Sequence, residues 1–79
     1  MVTPSSIQQG IAAGLACEHV EVDGDGQHFQ ALVVSEAFAG KSRVARHQLV
    51  YAALGDRMRE EIHALSMQTL TPEEAARDG

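Results

Sequence analysis

Residues 19–34 read HVEVDGDGQHFQALVV, and this stretch decides the fold. Its first part, His19–Asp23, alternates between apolar and polar side chains, which is the period of a half-buried strand. Two Asp-Gly steps follow, the strongest short-range signal for a hairpin turn, and Phe29–Val34 is then rich in β-forming residues. The stretch therefore predicts two antiparallel strands joined by a tight turn.

Helical patterns lie on both sides of this hairpin. Before it, Ile7, Ile11 and Leu15 recur every fourth residue and predict a first helix, in which Gly14 indicates close packing against a sheet. After it, an apolar stripe predicts a helical region that divides into two helices near Gly55. The members of the stripe are Val44, His47, Tyr51, Leu54 and Met58.

Two further elements complete the chain. Ile62–Leu70 is short and apolar and is predicted as a third strand, and Thr71-Pro72 followed by acidic residues marks the start of a last short helix. The order α-β-β-α-α-β-α indicates the α+β class, as a small two-layer sandwich with a three-stranded sheet and helices on one face. Because 79 residues suffice for one hydrophobic core, we expect a single domain over residues 1–79.

This topology brings two histidines together. If strand 3 lies beside strand 2, the right-handed crossover makes the two strands parallel, so that His28 and His63 lie at the same end of the sheet and Cys17 at the other. Two imidazoles leave a metal site incomplete, and Asp25 in the turn is a weaker oxygen donor. Either the histidines recruit ligands from another molecule or they are ordinary strand-end residues, and spacing alone favours the second interpretation.

Composition excludes several classes of function. A formal net charge of −5 repels phosphate backbones, although Lys41, Arg43 and Arg46 form a local basic patch. The sequence has no apolar run long enough for a membrane span and no signal peptide, and its single cysteine, Cys17, cannot form an internal disulfide. These features predict a cytoplasmic protein without a membrane partner.

No catalytic motif emerges. Gly40-Lys41-Ser42 lacks the upstream glycine of a phosphate-binding loop, and no serine sits in a nucleophile context, so we do not expect an enzyme. His47 lies on the apolar stripe and is interpreted as a packing residue. Cys17 is interpreted in the same way, as a small buried side chain.

Several blocks of the sequence together resemble the BolA family, most closely its bacterial IbaG-like branch. The blocks follow one another in the family's order over nearly the whole chain, which is more specific than any single motif. They are VSEAFAGKS at 34–42, RHQLVY at 46–51, IHALS at 62–66 and TPE at 71–73, with the Gly24-Asp25-Gly26 hairpin and His28-Phe29 characteristic of the branch.

The resemblance implies a fold similar to a type II KH domain and a non-enzymatic role in iron-sulfur cluster trafficking or in iron and stress regulation. Family members form heterodimers with monothiol glutaredoxins around a [2Fe-2S] cluster that the glutaredoxin and glutathione also ligate. His63 matches the family's metal-binding histidine. A second ligand usually comes from the loop between strands 1 and 2, where this chain has no cysteine and only His28, at its edge. No cofactor is expected in the isolated chain, and homodimerisation stays open.

The alternative is a KH-like nucleic-acid-binding transcriptional regulator that uses Lys41, Arg43 and Arg46. The acidic net charge argues against this function, as does the lack of a Gly-x-x-Gly clamp between the relevant helices. A third interpretation is an interaction domain that binds no metal.

Overall fold

A computed structural model describes residues 3–25, 27–55 and 65–78 of the chain. Its three strands form one sheet in the order β1-β2-β3, with β2 antiparallel to β1 and parallel to β3. The predicted α+β class and the parallel pairing are both confirmed. The elements are α1 (Pro4–Gly14), β1 (His19–Gly24), β2 (Phe29–Val34), a 3₁₀ turn (Glu36–Phe38), α2 (Arg43–Leu54), β3 (Leu65–Leu70) and α3 (Pro72–Asp78).

Helix α1 begins with a reciprocal cap. The Thr3 hydroxyl accepts a hydrogen bond from the Ser6 backbone N–H, and the Ser6 hydroxyl accepts one from the Thr3 N–H. This pairing satisfies two N–H groups that a helix start otherwise leaves without partners. At the other end of α1, a Cβ added at Gly14 would lie 2.7 Å from the Ala53 Cα. The glycine therefore permits close packing against α2, whereas the sequence had predicted close packing against the sheet.

The core lies between the helices and one face of the sheet. Ile7 and Ile11 of α1 are fully buried, and the alternate residues of β2 that begin with Phe29 point toward them. The buried cluster is Ile7, Ile11, Phe29, Ala31, Val33, Phe38, Val50 and Leu54. Because the same face of β1 contributes Val20 and Val22 to this cluster, the predicted alternation of the hairpin strands is confirmed.

The opposite face of the sheet is open. Glu21, Gln30, Ser66 and Gln68 are exposed there and line a broad, shallow surface. This arrangement confirms that the helices pack on one face, as predicted. Among the described residues, no helix is long and apolar enough to cross a membrane.

One predicted apolar position in α2 is wrong. Val44 was placed on the buried stripe, but 66% of its surface is exposed. The buried residues of this helix are Val50 and Leu54, which lie one turn apart. Since six residues of an α-helix turn through about 600°, the directions of Val44 and Val50 differ by roughly 120° around the helix axis.

Some expectations concern residues that the structure does not describe, and one observed element was not predicted as such. The second helix of the helical region would fall within 56–64, outside those residues, and so would Met58. The third strand is described from Leu65, whereas its predicted first residues, 62–64, also lie outside. The 3₁₀ turn at Glu36–Phe38 was predicted only as a break after β2.

Candidate metal site at the hairpin end of the sheet

The turn between β1 and β2 is organised by one carboxylate. Asp25 Oδ1 accepts hydrogen bonds from the backbone N–H of His28 at 2.8 Å and of Gln27 at 2.9 Å. The Asp25 N–H in turn donates to the His28 carbonyl at 3.2 Å. The His28 N–H and then the Gln27 N–H stabilise the charged form, so the pKa of Asp25 lies below its ordinary value of 3.8. This carboxylate closes the turn immediately before β2.

His28 stands at the exposed tip of that turn. Its side chain is 75% exposed, and its Nδ1 lies 4.0 Å from Asp25 Oδ2. The next residue, Phe29, is 3% exposed and anchors β2 in the core. The buried Phe29 thus fixes the backbone next to His28, and the His28 imidazole projects into solvent.

Gly24 allows the hairpin to close beneath His28. A Cβ at this position would lie 2.5 Å from the His28 carbonyl oxygen and 2.6 Å from Cδ1 of Phe29. Neither distance can be accommodated without moving the backbone or the buried ring. The position therefore requires glycine because of this close approach.

His63, the principal predicted ligand, lies outside the described residues. The parallel register pairs Phe29 with Leu65, so His28 precedes β2 by one residue and His63 precedes the described start of β3 by two. The described residues contain no group of three His, Cys, Asp or Glu side chains that could hold a metal. At this end of the sheet they provide one solvent-exposed imidazole, that of His28, which can donate one nitrogen to a metal whose other ligands come from elsewhere.

Cys17 lies at the opposite end of the sheet, as predicted. It comes just before Glu18, whose N–H donates to the carbonyl of Val34 at the end of β2. The thiol is half-buried and donates to the Leu15 carbonyl at 3.2 Å, and burial raises its pKa from the ordinary 9.0. A protonated thiol is a poor metal ligand, which agrees with the packing role inferred from the sequence.

Arg46 connects four parts of the chain. Its guanidinium donates to the Lys41 and Thr69 carbonyls, each at 3.0 Å, and to Glu74 Oε1 at 2.7 Å. Its Cζ lies 5.9 Å from the centre of the Phe38 ring, and only 13% of the side chain is exposed. We call this set of contacts the Arg46 clasp. The clasp gives Arg46, which was predicted to belong to a partner-binding surface, an internal role.

The clasp also fixes the start of α3. Glu74 Oε1 accepts the Thr71 backbone N–H at 2.8 Å, while the Thr71 hydroxyl accepts the Glu74 N–H at 3.1 Å. The hydrogen bond from Arg46, followed by that from the Thr71 N–H, lowers the pKa of Glu74 from its ordinary 4.5 to about 2. One carboxylate thus caps α3 and holds it against α2.

This lowered pKa predicts a specific acid dependence of stability. Because the folded-state value lies below the unfolded one, the contribution of Glu74 is fully present above about pH 4.5 and is lost as pH falls through about 2. As the pH falls from about 4.5 to about 2, we expect the free energy of unfolding of Glu74→Gln to decrease less steeply than that of the wild type. Urea denaturation at a series of pH values measures this free energy, and Glu73→Gln, at an exposed neighbouring position, is the control. Parallel wild-type and Glu74→Gln curves would contradict the assignment.

The side chains of the two other basic residues of the predicted patch make no such contacts with the described residues, although the Lys41 carbonyl belongs to the clasp. Lys41 and Arg43 are exposed near the start of α2 and lie on either side of Ser42, which caps that helix. His47 is half-buried, and its Nε2 is buried without a hydrogen-bond partner among the described residues. Its burial agrees with the packing role predicted for it.

Comparison with known proteins decides the family. The sequence profile described as BolA-like protein matches residues 11–74. The chain belongs to the BolA family. This BolA-family chain is 43% identical over 75 residues to the acid stress protein IbaG of Escherichia coli K12, covering 94% of this chain and 89% of that protein. The IbaG-like resemblance is thereby confirmed.

Two further relatives define the fold and the range of described roles. A BolA protein homologue from Coxiella burnetii superposes with a TM-score of 0.85 at 47% identity, over 98% of this chain and all of that one. A Vibrio cholerae protein described as the DNA-binding transcriptional regulator BolA is 49% identical over 51 residues, covering 65% of this chain and 48% of that protein. The first confirms the BolA fold, whereas the likeness to a type II KH domain stays a prediction.

Sequence reasoning missed three structural details: the role of Asp25, the reciprocal cap of α3 and the contact of Arg46 with Glu74. The turn-closing role of Asp25 follows a known preference, since aspartate often accepts backbone N–H groups two or three residues ahead. The cap of α3 could also have been predicted, because Thr71 and Glu74 have the spacing of a capping box. Arg46 and Glu74 are 28 residues apart in sequence, so no local sequence pattern predicts their contact.

Proposed function

We propose that this BolA-family chain is a non-enzymatic partner of a monothiol glutaredoxin and supplies histidine ligands to a shared [2Fe-2S] cluster. His63 is the principal ligand and His28 the second. The cluster is cargo for iron-sulfur trafficking or a signal of iron status. The observation that carries the proposal is the exposed imidazole of His28 at the end of the sheet where β3 also begins.

The chemistry of the donor set supports this function. A [2Fe-2S] cluster takes thiolates on one iron and can take two imidazoles on the other, as Rieske centres do. This chain offers one free thiol, Cys17, at the wrong end of the sheet. The thiolates must therefore come from another molecule, and a glutaredoxin cysteine with glutathione provides them. The imidazoles of His28 and His63 complete that set.

Electrostatics favours a protein partner around the hairpin. Residues 18–25, which include β1 and the start of the turn, carry four acidic side chains, so this strand and turn repel polyanions. Nucleic acid is such a polyanion, whereas a glutaredoxin is not, so the acidic hairpin disfavours nucleic acid more than it disfavours a protein partner. A glutaredoxin that brings its ligands to His28 would meet an exposed, accessible ring.

The direct test is reconstitution. The chain is mixed with a monothiol glutaredoxin, glutathione, iron and sulfide, and visible absorption and circular dichroism are recorded. We expect spectra distinct from those of the glutaredoxin homodimer, together with a one-to-one complex by size-exclusion chromatography. Spectra that equal those of the glutaredoxin prepared alone would remove the proposal. Chromatography of the chain by itself also tests homodimerisation.

A second candidate function is DNA binding, favoured by the regulator from Vibrio cholerae. The structure alters how it should be tested, because Arg46 holds the fold together and its loss would weaken binding indirectly. Lys41→Ala and Arg43→Ala are the informative variants. Specific binding should survive near-physiological salt and weaken in these variants, whereas binding that vanishes with salt would indicate charge attraction alone.

A further inference from the structure

We propose that Asp25 is a positioning residue for His28: its carboxylate keeps the proton of the neutral ring on Nδ1 and leaves Nε2 as the nitrogen that can bind iron. That Nε2 binds iron rests on the proposed function. The placement of the proton does not, and it can be measured on the metal-free chain.

The argument begins with how firmly the Asp25 carboxylate is held. Oδ1 accepts two backbone N–H groups within the turn, at 2.8 and 2.9 Å. A carboxylate fixed through one oxygen has a defined direction for the other. Oδ2 is therefore aimed by the backbone of the turn, although the side chain is 70% exposed.

The free oxygen faces one nitrogen of the ring. Oδ2 lies 4.0 Å from Nδ1 of His28, within ion-pair range but beyond hydrogen-bond distance, so the carboxylate acts on this nitrogen through its charge. An ionised carboxylate only accepts hydrogen bonds, so it favours the tautomer in which Nδ1 carries the proton. Nε2 then has its lone pair free.

This arrangement is the one that metal-binding histidines commonly use. A ligating ring usually donates its other N–H to a carboxylate or carbonyl, which fixes both the tautomer and the ring orientation. In this chain the carboxylate and the ring belong to the same turn, three residues apart. The turn therefore contains both the second ligand and the group that orients it.

The test is the tautomer ratio of His28 in the metal-free, isotope-labelled chain. Two-bond ¹H–¹⁵N correlation spectra at mildly alkaline pH distinguish a protonated ring nitrogen from one with a lone pair. Asp25→Asn keeps an acceptor oxygen for the turn but places an N–H donor toward the ring. We expect the ratio of the Nδ1–H to the Nε2–H form to fall roughly two- to fivefold, the size typical of an exposed charged contact.

A matched variant and a second substitution keep this result interpretable. Asp23→Asn removes the same charge nearby and should leave the ratio unchanged, while the backbone amide signals of Gln27 and His28 report whether the turn is intact. If Asp25→Asn disturbs them, Asp25→Ser retains a hydroxyl acceptor and should show the same fall. An unchanged ratio in the intact variant, or an equal change in Asp23→Asn, overturns the proposal.

The two proposals fail separately. If the ratio responds to Asp25 but reconstitution with glutaredoxin gives no new spectrum, Asp25 controls the His28 proton and the cluster function is wrong. If the new spectrum forms but the tautomer ratio of His28 is unchanged in Asp25→Asn, the cluster function stands and the positioning role is wrong.

Discussion

Under the proposed function, His63→Ala should abolish the visible circular dichroism signature that this chain is expected to impose on a glutaredoxin-bound [2Fe-2S] cluster. The family resemblance assigns His63 as the principal ligand and leaves His28 the secondary role, so His28 alone is not expected to hold the iron once His63 is removed. We expect His28→Ala to weaken the signature and to leave a remnant that depends on His63. The measurement is reconstitution with the glutaredoxin in excess.

His19→Ala is the matched control for these variants. His19 is also an exposed histidine of the hairpin, but it lies at the far end of β1, where its Nε2 is 3.1 Å from Glu21. Its loss should leave the spectrum unchanged. A His63→Ala spectrum identical to wild type would place the site elsewhere and would make the DNA-binding function the better candidate.

Arg46→Ala should be strongly destabilising. The substitution removes the hydrogen bonds to Thr69 and Glu74 together with the contact over the Phe38 ring. Hydrogen bonds that involve a charged group contribute about 1.5–3 kcal/mol each, and the partly exposed Glu74 recovers part of the loss from water, so we expect a cost of roughly 2–3 kcal/mol. For a chain of this size that corresponds to a fall in Tm of about 10–20 °C.

Arg43→Ala provides the comparison for Arg46→Ala. It removes the same side chain from the same helix at an exposed position, so the free energy of unfolding should change by no more than about 0.5 kcal/mol. Thermal and urea denaturation followed by circular dichroism measure both variants. Equal losses from Arg43→Ala and Arg46→Ala would show that the clasp adds nothing to stability.

Local patterns predicted most of the fold. The alternation around Val20 and Val22 and the Asp-Gly steps identified β1, β2 and their turn, and the right-handed crossover rule gave the parallel pairing with β3. The inward face of α2 was the exception, because Val44 and Val50 are equally apolar and only the packed structure shows which one faces the core. Hydrophobicity indicates a helix more readily than it indicates that helix's orientation.

The candidate site was predicted less completely. The sequence placed His28 at the correct end of the sheet, but the role of Asp25 depends on the conformation of the turn. The basic patch was grouped by proximity in sequence, and the structure divides it into exposed Lys41 and Arg43 and an inward-facing Arg46. Contacts between residues far apart in sequence decide that division, so composition could not reveal it.

The positions of His28 and of the Arg46 clasp have a consequence for how this protein can evolve. They lie at opposite ends of the sheet, separated by the six residues of β2, roughly 20 Å. Changes so far apart add independently in free energy. A substitution at His28 should therefore leave unchanged the stability that the clasp provides, so the hairpin turn can vary in sequence while the scaffold keeps its thermal stability.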